Sequence, residues 1–297
     1  MNILNLRGTI TALVTPFNED LSIDYNSFEK LVNKQVEAGI EGLVICGSTG
    51  ESATLSKKEK LSLIIKAVEI SNGRIPIIAG TGSNDTASSI DMTILAKESG
   101  ADAVLLVAPY YNKPSQEGLF NHYLAISEAV DIPQIVYNVP GRAGVNISAE
   151  TQLKIAQECK NVIATKEASG DLEQMAEIIK YAPEGFKLYC GDDALAMPAA
   201  SIGASGVIAV ISNYAPKEFG DCIRYALDND FVNAREIYYR LSDLMKLNFI
   251  ESNPVPAKAV LNLMGLVKNV VRLPLTPITQ PSLNKLSTAL KAAKLIN

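Results

Sequence analysis

An alternation constrains this chain more than any other feature. Eight short apolar runs rich in β-formers recur between residues 9 and 211, each parted from the next by a longer stretch of helical period. They are "TITALVT" (9–15), "GLVIC" (42–46), "IPIIAG" (75–80), "AVLLVAP" (103–109), "IPQIVYN" (132–138), "VIATKE" (162–167), "KLYCG" (187–191) and "GVIAVI" (206–211). Runs apolar at nearly every position suit strands covered on both faces, which means a parallel sheet under helices. Eight of them in 297 residues favour an α/β fold of the (β/α)8 type, a TIM barrel, over an open doubly wound sheet. Periodicity alone does not show closure. After residue 228 the pattern becomes helix only, through "NAREIYYRLSDLMKLNFI", "PAKAVLNLMGL" and "SLNKLSTALKAAKLI". The expectation is a catalytic barrel over 1–228 and a small all-helical C-terminal domain over 229–297.

The intervening stretches carry helix signals. One opens with Ser56 and Glu59 in capping-box spacing, then sets Leu61, Ile64, Ile65 and Val68 on one face. Others stop at glycine, as at Gly39, Gly73 and Gly100.

Several function classes drop out on composition. The net charge of −5 is spread without blocks of one sign, so nothing points to nucleic acid or an acidic membrane surface. No stretch approaches the roughly 20 apolar residues that cross a bilayer, and the N-terminus lacks a basic start followed by a long apolar run. A cytoplasmic protein is expected. Cys46, Cys159, Cys190 and Cys222 form no CxxC pair and read as reduced, mostly buried thiols. His122 is the single histidine, in a helical context without GxSxG, so it reads as a structural or surface residue. HExxH and CxxC metal sites are excluded, and no metal is expected. Any acid–base chemistry falls to Lys, Tyr, Thr or carboxylates.

The loops differ by side. Those after strands carry unusual chemistry: "GSTGES", "GTGSND", "PYYNKP", "YNVPGRAG", "KEASGD" and "GDDA". Those after helices, such as "EAGIE" and "ESGAD", are plain. In a barrel the loops after the strands share one face, the catalytic one.

Lys166 stands at the inner end of an apolar strand. Alternation sends Lys166 and Glu167 to opposite faces, so they do not neutralise each other. Facing the interior, Lys166 loses solvation, which favours the free amine that attacks a ketone to form a Schiff base. The bland reading is a lysine whose head reaches water. Tyr137 and Tyr111 stand at or just past strand ends and are candidate proton carriers in a site without histidine; the ordinary reading of each is a core aromatic. Arg142, in a Pro/Gly-shaped turn, is a fork suited to a carboxylate, or a solvated loop residue. "GSTGES" (47–52) offers backbone N–H groups to a carboxylate or phosphate. It lacks GxxxxGK[ST], and "GTGSND" lacks GxGxxG, so nucleotide binding is poorly supported.

Taken together, "GSTGES", "APYYNKPSQEG", "YNVPGRAG", "TKEASGD", "GDDA", "NPVPAKAVLNLMGL" and "RLPLTP" resemble the dihydrodipicolinate synthases, within the superfamily of pyruvate-dependent Schiff-base aldolases. The resemblance covers essentially the whole chain. It implies condensation of pyruvate with L-aspartate 4-semialdehyde, without organic cofactor, through an imine on Lys166. It makes Tyr137 the proton relay and Thr49 the hydroxyl linking it to Tyr111, which a neighbouring subunit inserts. Ser48 and Thr49 would hold the pyruvate carboxylate and Arg142 the semialdehyde carboxylate. Gly191 and Ile208 would supply backbone carbonyls to the substrate amine and the imine. The family also implies a homotetramer built as a dimer of dimers.

One departure concerns feedback by lysine. Ser52, Ala53, Leu55, Asn84 and Tyr110 match the family's lysine site, but Lys57 and Lys60 replace two histidines and Ser88 a glutamate. Added cations and a lost carboxylate disfavour a bound lysine, so weak or absent feedback is expected. The competing readings are a sister aldolase such as N-acetylneuraminate lyase, a keto-sugar-acid dehydratase, a non-catalytic ligand-binding barrel, or a barrel isomerase using "GASG" (203–206) for phosphate. The isomerase needs a carboxylate base at a strand end, and alternation faces Glu167 outward.

Overall fold

A computed structural model describes Ile3 and residues 6–296; the extreme ends of both expected units lie outside these residues. The strands are β1 (Gly8–Ala12), β2 (Gly42–Ile45), β3 (Ile77–Gly80), β4 (Ala103–Val107), β5 (Gln134–Asn138), β6 (Val162–Glu167), β7 (Lys187–Cys190) and β8 (Gly206–Ala209). They pair in parallel and in order, and β8 returns to β1 with Gly8 opposite Gly206, closing the barrel. Each expected run corresponds to one strand; β6 matches its run, β1 begins one residue early at Gly8, and all but β6 are shorter than expected. β3 and β5 begin only after Pro76 and Pro133, which have no N–H for a ladder. β1, β4 and β8 stop early because the chain bends there into the loops of the barrel mouth.

Successive side chains take opposite faces. Ile10, Val44, Ile78, Ile135, Ala164 and Ile208 fill the barrel. Leu43, Val104, Val136, Leu188 and Val207 join the layer beneath the helices. Burying each large aliphatic stabilises the fold by about 1.5–3 kcal/mol.

The helix Lys57–Ser71 begins at a full capping box: Glu59 N–H donates to Ser56 Oγ, and Ser56 N–H to the Glu59 carboxylate at 2.8 Å. Its buried line is Leu63, Ile64, Ala67 and Ser71. This corrects the sequence expectation: Leu61 and Val68 are half-buried and Ile65 is 43% exposed. The helix carries two apolar stripes; one meets β2 and β3, and the other runs along the flanks beside neighbouring helices. Gly39, Gly73 and Gly100 follow helix ends with φ of 74°, 71° and 87°, the left-handed stop expected of them.

Beyond the barrel lie the helices Phe231–Leu247, Val255–Leu263 and Gln280–Ala292. Their connections return to the mouth, where Asn253 bonds Thr49 and Arg272 bonds Glu59. Among the described residues, no helix is long and apolar enough to cross a membrane.

Candidate active site

The site is built on the ends of β5 and β6, where Tyr137 sits opposite Lys166 and Asn138 opposite Glu167. Alternation sends the first pair into the barrel and the second outward. Inside, Lys166 is 5% exposed and its ammonium lies 4.4 Å from the Tyr137 ring centroid. It forms no hydrogen bond or ion pair among the described residues. Outside, Glu167 is fully buried in a cage of neutral donors. Asn138 Nδ2 reaches both its oxygens at 3.0 Å, Gln152 Nε2 donates at 2.7 Å, Gln174 Nε2 at 2.9 Å and Ser169 N–H at 2.8 Å. The two faces are linked mechanically. The outer Asn138–Glu167 bonds hold the two strands in the register that sets Tyr137 beside Lys166.

Lys166 opens into a narrow well of about 110 Å³, which Ser48, Thr49, Tyr137, Arg142 and Gly191 also line. Ser48 and Thr49 lie on a single 3-10 turn, Ser48–Gly50, at the end of β2. Neither of their N–H groups has an acceptor among the described residues, although Thr49 is buried. Donors left open at a turn start are set for an anionic oxygen. Thr49 Oγ1 accepts from Asn253 Nδ2 at 2.9 Å, and no bond joins it to Tyr137. Its own proton stays free for a second partner. Arg142, on the one-turn helix Pro140–Ala143, donates to the Asn253 carbonyl at 3.1 Å. Asn253 therefore spans two of the expected binding residues. Gly191 is glycine for space: a Cβ there would stand 2.5 Å from Ala168 Cβ and 3.1 Å from Lys166 Cε.

Two expected positions are not brought to the well. The Ile208 side chain is fully buried in the barrel core, and Val210, two residues on, lines the well instead. Tyr111 is 88% exposed, with φ 75° and its N–H on the Ala143 carbonyl at 3.3 Å. It does not line its own chain's well. Glu167 is unavailable as a base inside the well, and "GASG" leads into the first residue of β8, at the end of the barrel away from the mouth. Neither requirement of the isomerase reading is met.

Beside the well lies a wider hollow of about 480 Å³ that shares Ser48, Arg142 and Asn253 with it. Of the lysine-site positions, Ser52, Ala53, Lys60, Ser88 and Tyr110 line this hollow. Leu55 is in the core, Lys57 is exposed and Asn84 lies off the lining.

Burial sets the ionisation of several other groups. Asp193, fully buried, accepts N–H bonds from Val210 at 2.9 Å and Ile211 at 2.7 Å, and burial pushes its carboxyl up to about 6. His122, 2.9 Å from Thr86 Oγ1 and edge-on to Tyr123, is pushed down by burial to about 4. It is a wall residue, as expected. The four cysteines are unpaired and buried, and burial raises Cys46 to about 12 and Cys159 to about 11, which leaves them inert thiols. Among the described residues, no group of three or more His, Cys, Asp or Glu could hold a metal ion.

Sequence reasoning missed Asn253, Glu51, Lys258 and the role of Glu167. Lys258 carried a readable signal, since "PVPAKAV" embeds a lysine in apolar residues much as "VIATKEA" does.

The geometry has close counterparts. The sequence profile of the dihydrodipicolinate synthetase family matches residues 5–293. A 4-hydroxy-tetrahydrodipicolinate synthase of Phocaeicola vulgatus is 46% identical over 290 residues, 98% of each chain. The crystal structure of dihydrodipicolinate synthase from Aquifex aeolicus superposes with a TM-score of 0.95 at 44% identity, covering 97% of this chain and 98% of that one. The chloride-inhibited enzyme from Acinetobacter baumannii, solved with pyruvate, gives 0.96 at 43% identity over 98% and 100%.

Proposed function

This chain belongs to the dihydrodipicolinate synthetase family, and on that premise we propose that its well joins pyruvate to L-aspartate 4-semialdehyde through a Schiff base on Lys166. The product is 4-hydroxy-tetrahydrodipicolinate, and the enzyme is a lyase at the first committed step of diaminopimelate and lysine synthesis. One observation carries the reading. A buried lysine without a countercharge lies against a tyrosine and opens onto free N–H donors and an arginine.

The chemistry follows from those positions. The Lys166 amine adds to the pyruvate ketone and water leaves, giving the imine. The Ser48 and Thr49 N–H groups hold the keto-acid carboxylate. The protonated imine withdraws electrons from the methyl group, whose proton is lost to give an enamine. That carbon attacks the semialdehyde, whose carboxylate is held by the Arg142 fork. The substrate amine then displaces Lys166 and closes the ring. Tyr137 relays the protons. Thr49 offers its free hydroxyl proton to the relay, and Tyr111 of the partner subunit completes it. Gly191 and Ile208 act through backbone carbonyls, toward the substrate amine and the imine. Lys166 is itself the electron sink, so no organic cofactor or metal is required.

The exposure of Tyr111 supports a tight dimer as the smallest active unit, paired again into a tetramer. Residues 229–297 are read as a helical unit laid against the barrel mouth, and the unpaired cysteines fit a cytoplasmic protein. Lysine feedback is weak or absent on this reading, because Lys60 brings a cation into the shared hollow. Half-maximal inhibition by low-millimolar L-lysine would overturn that point.

The test of the function is borohydride reduction in the presence of pyruvate, followed by peptide mass mapping. The expected result is a reduced adduct on the peptide carrying Lys166 and none without pyruvate. An unmodified Lys166 rejects the mechanism, and faster turnover of a sugar aldehyde than of aspartate semialdehyde rejects the substrate.

A further inference from the structure

The turn bearing Ser48 and Thr49 does not support itself. It ends at Glu51, whose φ of 54° and ψ of 36° are left-handed. Residues with a Cβ keep that conformation only where their surroundings hold them. Glu51 N–H closes the turn on the Ser48 carbonyl at 3.1 Å, so any rotation of Glu51 also tilts the peptide planes of residues 48–50.

The hold comes from far away in the sequence. Lys258, on the helix Val255–Leu263, donates to Glu51 Oε1 at 2.6 Å, 207 residues distant. Neither side chain is exposed by more than 1%. The other carboxylate oxygen accepts the Arg272 backbone N–H at 3.1 Å. Two further tethers reach the turn itself: Thr15 Oγ1 donates to the Gly50 carbonyl at 2.7 Å, and Asn253 donates to Thr49. Most of these anchors therefore come from the segment after the barrel.

We propose that Glu51 and Lys258 are positioning residues for the keto acid, their buried ion pair fixing the turn where the Ser48 and Thr49 N–H groups meet its carboxylate. The inference rests on the use of that turn for pyruvate proposed above. Neither residue touches substrate. Lys258 is fully buried and Glu51 does not line the well. Their effect reaches the reaction only through the turn, by moving the two N–H donors off the keto-acid carboxylate. Pyruvate recognition depends on this turn, whereas the semialdehyde is assigned to Arg142, so loss of the pair should act unequally on the two substrates.

The experiment compares the intact protein with Lys258→Met and with Glu51→Gln/Lys258→Met. The double variant removes both charges and leaves no buried charge uncompensated. The readout is the pyruvate concentration giving half-maximal borohydride trapping at Lys166, beside kcat and the KM of each substrate. In the single variant the half-trapping concentration and the pyruvate KM are expected to rise at least about tenfold, while kcat at saturating pyruvate falls less than about threefold. The semialdehyde KM stays near its original value. The double variant should show the same selective loss in a stably folded protein, so the test survives if Lys258→Met does not fold. An unchanged pyruvate dependence in a folded variant overturns the proposal. So does an equal loss in all constants, which is the signature of a merely structural pair. Absence of trapping in the unaltered protein would instead remove the Schiff-base reading, and this inference with it.

Discussion

Lys166 and Lys258 are both buried, and each places its ammonium over an aromatic ring, 4.4 Å from the centroid of Tyr137 and 4.2 Å from that of Phe17. They differ in one contact. Lys258 meets Glu51 at 2.6 Å, whereas Lys166 meets no carboxylate among the described residues. Burial holds Lys258 below the usual lysine range, and the Glu51 carboxylate offsets only part of that shift. A fully buried lysine with a countercharge is a structural cation. One without a countercharge keeps its nitrogen free of any fixed partner, open to a ketone carbon. Withholding the partner distinguishes the nucleophile. The fold does this by facing Glu167, the carboxylate next in sequence, outward into the Asn138–Gln152–Gln174 cage.

The same substitution at both lysines tests this contrast. Lys166→Met should lower kcat by about 10³-fold or more, equivalent to about 4 kcal/mol of transition-state stabilisation. Its denaturation midpoint should hold or rise, since an unpaired buried amine is replaced by an apolar side chain of similar length. Lys258→Met should do the reverse to stability, costing about 3–5 kcal/mol because Glu51 is left buried and uncompensated. Urea unfolding of the two variants side by side is the measurement. Equal losses of stability would erase the distinction, and retained turnover in Lys166→Met would reverse it.

The two lysines also mark how far the sequence could be read. The eight strands were legible because each is covered on both faces, leaving a short apolar run that recurs between helical stretches. Lys166 stood out against such a run. Lys258 stood out equally within "PVPAKAV", but its meaning depends on Glu51, and no local pattern reports a contact 207 residues away. Glu167 was legible in direction, since strand alternation requires it, but not in partners, which come from three separate elements. The helix Lys57–Ser71 was misread in its buried face because it carries two apolar stripes, and only the packed barrel selects between them. Tyr111 was legible as a motif, yet its place is not in its own chain's well.

Two other buried groups that form no ion pair extend the contrast at a smaller scale, because they titrate in an accessible range. His122, held near 4 against an ordinary 6.5, stays neutral in the fold while the unfolded chain takes up a proton. Its contribution to stability is complete above about pH 6.5, is lost as the pH falls from 6.5 to 4, and levels off below. Asp193, near 6 against an ordinary 3.8, has the opposite sign: the fold binds the proton first, so its cost is full above about pH 6 and is relieved between 6 and 3.8. Each is worth at most about 3 kcal/mol, and over the shared window the two largely cancel. His122→Gln should therefore flatten the acid-side fall in urea midpoint relative to the unaltered protein, while Asp193→Asn should steepen it. If both variants shift the slope in the same direction between pH 6.5 and 4, the absence of an ion pair is not what sets these two groups apart from the Lys258–Glu51 pair.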